Sequence, residues 1–186
     1  DFISAYKVGF DVNGVINALR IQHDMRCGMS MDLSAAIAER ALMHSENSYY
    51  IPNVEFIANL YKTNTPSNTA FRGFGGPQGM LAMERVIDEI AHFLKLDPLT
   101  IRKRNFYLDN KDPMQKEQQT PYGQFVKDCI INDLVNKLEY SSNYLSRRKE
   151  IERFNKTSDV IKRGIALTPV KFGISFNKLM LNQAGA

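Results

Sequence analysis

The chain of 186 residues contains no tryptophan, two cysteines and three histidines, and each scarcity removes a class of chemistry. Cys27 and Cys129 stand far apart with no CxxC spacing, which excludes a structural zinc or an iron–sulfur cluster built by this chain alone. Two isolated thiols suit a reducing cytoplasm, and one disulfide between them is the other option. His23, His44 and His92 form no HExxH or HxH cluster. His92, mid-helix among apolar neighbours, reads as a core-edge residue. No run approaches the roughly 18 apolar residues that span a bilayer, and no charged start leads into an apolar segment of signal-peptide type. The expected setting is cytoplasmic, with no membrane. Basic residues exceed acidic ones only by 24 to 20. Much of the excess lies in RRKEIERFNK (147–156), where alternating signs describe a solvated helix face. No basic stretch carries interleaved aromatics, so no nucleic acid is expected as a partner.

What remains is an ordinary globular composition, 44% apolar. Residues 6–27 read as a hairpin around Asn13-Gly14, a type I′ signal because both turn residues tolerate positive φ. Residues 31–47 read as a helix capped by Asp32 or Ser34, with Leu33, Ile37, Ala41 and Leu42 as its apolar stripe. A strand follows at 54–63. An amphipathic helix at 77–95 places Met83, Val86, Ile87, Ile90 and Leu94 on one face and Glu84, Asp88 and Glu89 away from it, with Gly76-Pro77 at N-cap and N1. Asp97-Pro98 starts another helix, whose Arg102, Lys103 and Arg104 complement the negative end of its dipole. The polar stretch 107–124 reads as a connection and a domain boundary, dividing 1–108 from 109–186. Helices at 122–139 and 142–156 and a strand at 163–176, interrupted at Pro169 and Gly173, complete an α+β order without internal repeats. The chain opens without methionine and stops in an apolar run, so a piece of a longer protein is expected.

The segment TAFRGFGGPQG (69–79) fits neither period. Gly73, Gly75 and Gly76 permit positive φ and close approach, and the helix that follows directs unpaired N–H groups and its positive dipole end into the loop. One reading is a backbone cradle for a phosphate, oxo or pterin group. A second is a tight turn that packs Phe71 and Phe74 into the core. A Rossmann fingerprint fails on the GxGGPQG spacing and on the helix that follows where a second strand is required. A Walker A loop fails because no GK[ST] is present.

KTNTPSNTAFRGFGGPQGMLAMERVIDEIA (62–91), with ERALMH (39–44), IRKRNFY (101–107), PVKFGISF (169–176) and LNQAGA (181–186), closely resembles the molybdenum-cofactor subunit of the xanthine dehydrogenase and xanthine oxidase family and the related aldehyde oxidases. The resemblance implies α+β molybdopterin-binding domains, 1–108 in a first and 109–186 opening a second. It implies an oxidoreductase of purine metabolism that hydroxylates hypoxanthine and xanthine to urate. Its cofactor would be molybdenum-molybdopterin, and electrons would pass to Fe-S and FAD domains or subunits and on to NAD. The piece alone is expected to be inactive, because the active-site glutamate lies outside it, and the holoenzyme is expected to be a homo-oligomer.

By resemblance, Arg72 contributes backbone near the molybdenum ligands, and Gly73, Phe74 and Gly75 contact the cofactor. Phe74 and Phe176 would sandwich the purine. Arg40 would hold the purine oxygen and stabilise the charge that develops on it. Asn177 stands where the family usually has threonine and keeps a hydrogen-bonding role. Gln183, Ala184 and Gly185 would form a turn near the cofactor. Arg40 favours a purine substrate over the aldehyde alternative, since aldehyde-oxidising relatives usually carry an uncharged side chain or lysine there. A nucleotide-binding module without chemistry and a purely structural scaffold are the readings from other classes.

Overall fold

The computed structural model describes residues 1–109 and 117–173. Strands β1 (Phe2–Phe10) and β2 (Ile16–Gly28) form an antiparallel hairpin, and β3 (Val54–Lys62) pairs with the other side of β2 in parallel. A parallel neighbour cannot be reached by a tight turn. Helix α1 (Ser34–Met43) and the turns after it supply the crossover. Along β2, Leu19, Ile21, His23, Met25 and Cys27 are buried at alternate positions, as the strand period requires.

Two local expectations are corrected here. The hairpin turn is not type I′, because Asn13 keeps negative φ and only Gly14 is left-handed, at 80°. Asp11 is the cause: its Oδ1 accepts from the N–H groups of Asn13 (2.8 Å) and Val15 (2.9 Å), while its carbonyl accepts from Gly14. The result is the type I turn with a following left-handed glycine. Neither Asp32 nor Ser34 caps α1. Leu33 occupies the N-cap with no side-chain bond, Asp32 is itself left-handed (φ 41°) and Ser34 is buried.

Helix α2 (Gly76–Leu94) lays Met83, Val86, Ile87 and Ile90 against Ile16, Leu19 and Ile21 of β2. Its N-cap is Gly75, one residue earlier than expected. His92 is exposed rather than at the core edge, because it points away from the Ile87–Ile90 stripe. Helix α3 (Pro98–Asn105) starts as its sequence predicts, with Asp97 accepting from the Leu99 N–H at 2.8 Å.

The polar face of α2 holds the larger surprise. Glu84 turns inward, and Arg102 is 1% exposed rather than a solvent-facing partner of the helix dipole. The Arg102 Nε donates to Glu84 Oε2 at 2.8 Å and its Nη2 to Asp88 Oδ1 at 2.9 Å. Glu84 Oε1 accepts from the Tyr49 hydroxyl (2.6 Å) and from Asn47 Nδ2 (2.9 Å). Burial, with the Glu84 carboxylate beside it, holds the Tyr49 phenol well above its ordinary pKa.

Helices α4 (Ile131–Ser141) and α5 (Tyr144–Thr157) follow. The expected helix from 122 starts only at Ile131, because Gly123 (φ 86°) and Asp128 (φ 51°) are left-handed and break any earlier turn. The expected strand from 163 is an irregular strap through Gly173, the last described residue. Pro169 offers no N–H for a ladder, and side chains rather than a neighbouring strand satisfy the strap. Val135, Tyr144 and Leu167 join the main core. Among the described residues no helix is long and apolar enough to cross a membrane.

Removing Glu84 leaves the buried Arg102 guanidinium with too little compensation. Glu84→Ala is therefore expected to cost about 3–5 kcal/mol of stability, measured by chemical denaturation. A loss of less than about 1 kcal/mol, the ordinary value of an exposed pair, would contradict this placement.

A glycine seam as candidate functional site

The glycine-rich segment runs left-handed through three successive residues, Gly73 (φ 92°), Phe74 (φ 54°) and Gly75 (φ 97°). For Phe74 this conformation is strained, at roughly 1–2 kcal/mol, and the surrounding packing must hold it. Phe74 packs with Met25, Ile37 and Ala38 in a second, smaller core cluster. Phe71 is 79% exposed, so the tight-turn reading, which buried both rings, holds for Phe74 alone.

At the start of α2, Gly75, Gly76 and Gly79 meet other segments of the chain directly. A Cβ on Gly75 would lie 2.1 Å from the Ile37 carbonyl oxygen, and one on Gly79 would lie 2.3 Å from that of Ala41. The two glycines are one turn apart on α2, and the carbonyls are one turn apart on α1. The helices thus meet backbone to backbone. On a third side, a Cβ on Gly76 would lie 2.5 Å from the Phe172 ring of the strap.

The strap closes over the end of α1 by polar contacts. Arg40, 6% exposed, donates from Nη1 to the Gly173 carbonyl at 2.9 Å. The Gly173 N–H donates to His44 Nε2 at 3.1 Å, and His44 Nδ1 donates to the Arg40 carbonyl at 2.7 Å. Phe172 lies against both, its ring 4.8 Å from the His44 ring and 5.4 Å from the Arg40 guanidinium carbon. Asn47, itself left-handed at φ 48°, donates to the Pro169 carbonyl at 3.0 Å and accepts from the Lys171 N–H at 3.2 Å. The Lys171 ammonium pairs with the fully buried Glu46.

Burial lowers the His44 pKa; the Arg40 carbonyl opposes this, and the Arg40 and Lys171 charges reinforce it. Burial also lowers that of His23, against the pull of Asp24. Burial raises the Glu46 carboxyl, and Lys171 only partly offsets it.

Of the residues singled out in the sequence, Arg40 is brought to the strap, and Gly73, Phe74 and Gly75 form one left-handed run at the start of α2. Arg72 is exposed on that loop. Phe176 and Asn177 lie outside the described residues, as do Gln183, Ala184 and Gly185. A cleft of about 580 Å³ opens beside the loop, lined by Arg26, Asn68, Gly75, Gln78 and Arg85 among others. The side-chain oxygen of Gln78 is buried there without a hydrogen-bond partner. Sequence reading missed His44, Glu46, Asn47 and Lys171. The i, i+4 spacing of Arg40 and His44 on α1 was the one available signal.

Residues 1–106 match the family of the molybdopterin cofactor-binding domain. The chain is 44% identical over its whole length to a xanthine dehydrogenase of Dictyostelium discoideum, and 42% identical to the xanthine dehydrogenase/oxidase of Rattus norvegicus. It spans 13% of the length of each of these relatives. Among solved structures, the aldehyde oxidoreductase of Desulfovibrio gigas superposes over 86% of this chain and 16% of its own, with TM-score 0.70 and 24% identity. A quinoline 2-oxidoreductase of Pseudomonas putida covers 82% of this chain and 19% of its own, with TM-score 0.67 and 24% identity. At that identity the structural likeness speaks for the fold. It agrees with the α+β class read from the sequence.

Two outcomes are expected. Gly79→Ala gains roughly 1 kcal/mol of helix propensity but drives a methyl into a backbone carbonyl. A net loss of about 1–3 kcal/mol is expected on denaturation, whereas Gly9→Ala, with nothing within 4 Å, is neutral. As pH falls through the ordinary histidine value of 6.5, the unfolded chain takes up protons that folded His23 and His44 refuse. Stability present above that value is then lost on acidification. Glu46 acts oppositely, taking up its proton on folding above 4.5. The melting temperature should therefore drop between about pH 7.5 and 5.5, less steeply in His44→Gln than in the parent sequence.

Proposed function

Since the chain belongs to the molybdopterin cofactor-binding domain family, we propose that it forms part of the molybdenum-site subunit of a xanthine dehydrogenase, which oxidises hypoxanthine and xanthine to urate. The observation that carries this reading is Arg40, a buried guanidinium fixed on the Gly173 carbonyl at the seam between α1 and the strap. A guanidinium stays charged at any working pH and donates along fixed directions. Such a group suits an oxygen that gains negative charge during attack on a purine.

The residues beside the loop fit the cofactor. Gln78 presents a buried oxygen with no partner, which suits a pterin N–H, and Arg26, Asn68 and Arg85 in the same cleft suit its polar and anionic groups. Arg72, Gly73, Phe74 and Gly75 would hold the cofactor through the main chain at the N-terminus of α2, where the helix dipole favours negative charge. When bound, the cofactor supplies the attacking oxygen and accepts the hydride equivalent. Phe74 and Phe176 would then frame the purine plane, Asn177 would hydrogen-bond to the substrate and Arg40 would stabilise its oxygen.

On this reading 1–108 belongs to one molybdopterin-binding domain and 109–186 opens a second; the end of the family match at residue 106 supports the division. The partners are the rest of the same subunit and the Fe-S and FAD domains, in a cytoplasmic homo-oligomer. The aldehyde-oxidising alternative keeps the cradle but does not call for an arginine at position 40.

The test is turnover of the molybdenum-loaded parent with xanthine and with an aromatic aldehyde. A clear xanthine preference is expected, and Arg40→Met should lower kcat/KM for xanthine about 10²–10³-fold. Aldehyde-only turnover would overturn the role of Arg40, and no molybdenum-dependent activity on either substrate would overturn the whole reading.

A further inference from the structure

We propose that His44 is a positioning residue for Arg40, acting through the strap residue Gly173. This rests on the reading of Arg40 as the group that holds the substrate oxygen. Three hydrogen bonds close a ring: Arg40 side chain to Gly173 carbonyl, Gly173 N–H to His44 Nε2, and His44 Nδ1–H to Arg40 carbonyl. The ring fixes both ends of the arginine. Its backbone is tied to the imidazole, and its guanidinium is tied to the residue that the imidazole holds.

Only one form of His44 satisfies the ring. Nδ1 faces a carbonyl and must carry hydrogen, whereas Nε2 faces an N–H and must present its lone pair. A second proton would set two donors against each other at 3.1 Å. The charges that face the imidazole disfavour that proton. Arg40 of α1 and Lys171 of the strap are both cationic, Glu46 is engaged by Lys171, and Gly79 of α2 brings backbone rather than a charged side chain against the His44 main chain. The Phe172 ring, 45% exposed, touches His44, Arg40 and the bare backbone of Gly76, so a shift of the strap breaks these contacts together with the hydrogen bonds at Gly173. His44 therefore converts the position of a strap into the direction of an arginine.

Two variants of the full parent protein separate this role from a merely structural one. His44→Phe keeps a ring and removes both bonds. His44→Gln keeps an acceptor in reach of the Gly173 N–H and cannot titrate. Two quantities are read: hydrogen–deuterium exchange of the 164–173 strap in the cofactor-free protein, and the ratio of kcat/KM for xanthine to that for an aromatic aldehyde.

We expect His44→Phe to lose strap protection and to lower the ratio at least about 10-fold, the equivalent of one lost hydrogen bond to a charged group. His44→Gln should restore both and should flatten the acid-side fall of the xanthine profile. Unchanged strap protection in His44→Phe overturns the proposal. So does lost protection with an unchanged ratio, which would leave His44 a purely structural clip. The reading beneath it fails separately: Arg40→Met with undiminished xanthine turnover removes the role of Arg40 whatever the strap does.

Discussion

The contact on which the site depends is the backbone approach of α1 and α2 at Gly75 and Gly79. Any side chain at either position would overlap a carbonyl oxygen of the facing helix. Because the two glycines and the two carbonyls share the one-turn spacing, the approach extends over a full helical turn rather than a point. That seam carries Arg40 and His44 at its far end and the left-handed run 73–75 at its near end. Gly76 extends the same economy of volume to the strap by admitting Phe172. The loss of side chains at the start of α2 thus lets one helix end hold two neighbours at once.

Around this seam the protein buries polar groups and satisfies them with one another. Asn47 joins three elements, donating to Glu84 of α2 and to Pro169 of the strap and accepting from Lys171. Glu84 passes the connection to Arg102 of α3 and to Tyr49. Buried charges of this kind are costly when broken and modest in net gain when intact, so their contribution is geometric. They set where the strap lies, and through it where the Arg40 guanidinium points.

Much of the fold was legible because local rules acted without competition. The α2 stripe, the Asp97-Pro98 start and the pairing of the first two strands as a hairpin are set by period, capping and turn, and each emerged where expected. The misses share a cause in tertiary context. A glutamate at the margin of an amphipathic helix gives no sign that an arginine eighteen positions on will be buried against it. The Asp11 side chain redirected a turn that Asn13-Gly14 alone would have made type I′. At the site, Arg40 was reached through a family resemblance; its link to His44 has the i, i+4 spacing, whereas the link from His44 to Gly173 bridges 129 positions and has no local signature. The glycines were legible as a place of close approach. What approaches, at Gly75, Gly76 and Gly79, is the α1 backbone and a strap phenylalanine, which no loop composition encodes.

The most direct measurement is an experimental structure of the molybdenum-loaded parent with a slowly turned-over oxopurine bound. The account predicts the purine oxygen within hydrogen-bond reach of the Arg40 guanidinium, with Arg40 still seated on the Gly173 carbonyl and the purine ring bounded by Phe74 and Phe176. A purine bound away from Arg40, or an Arg40 that leaves the strap and contacts no substrate, would contradict it.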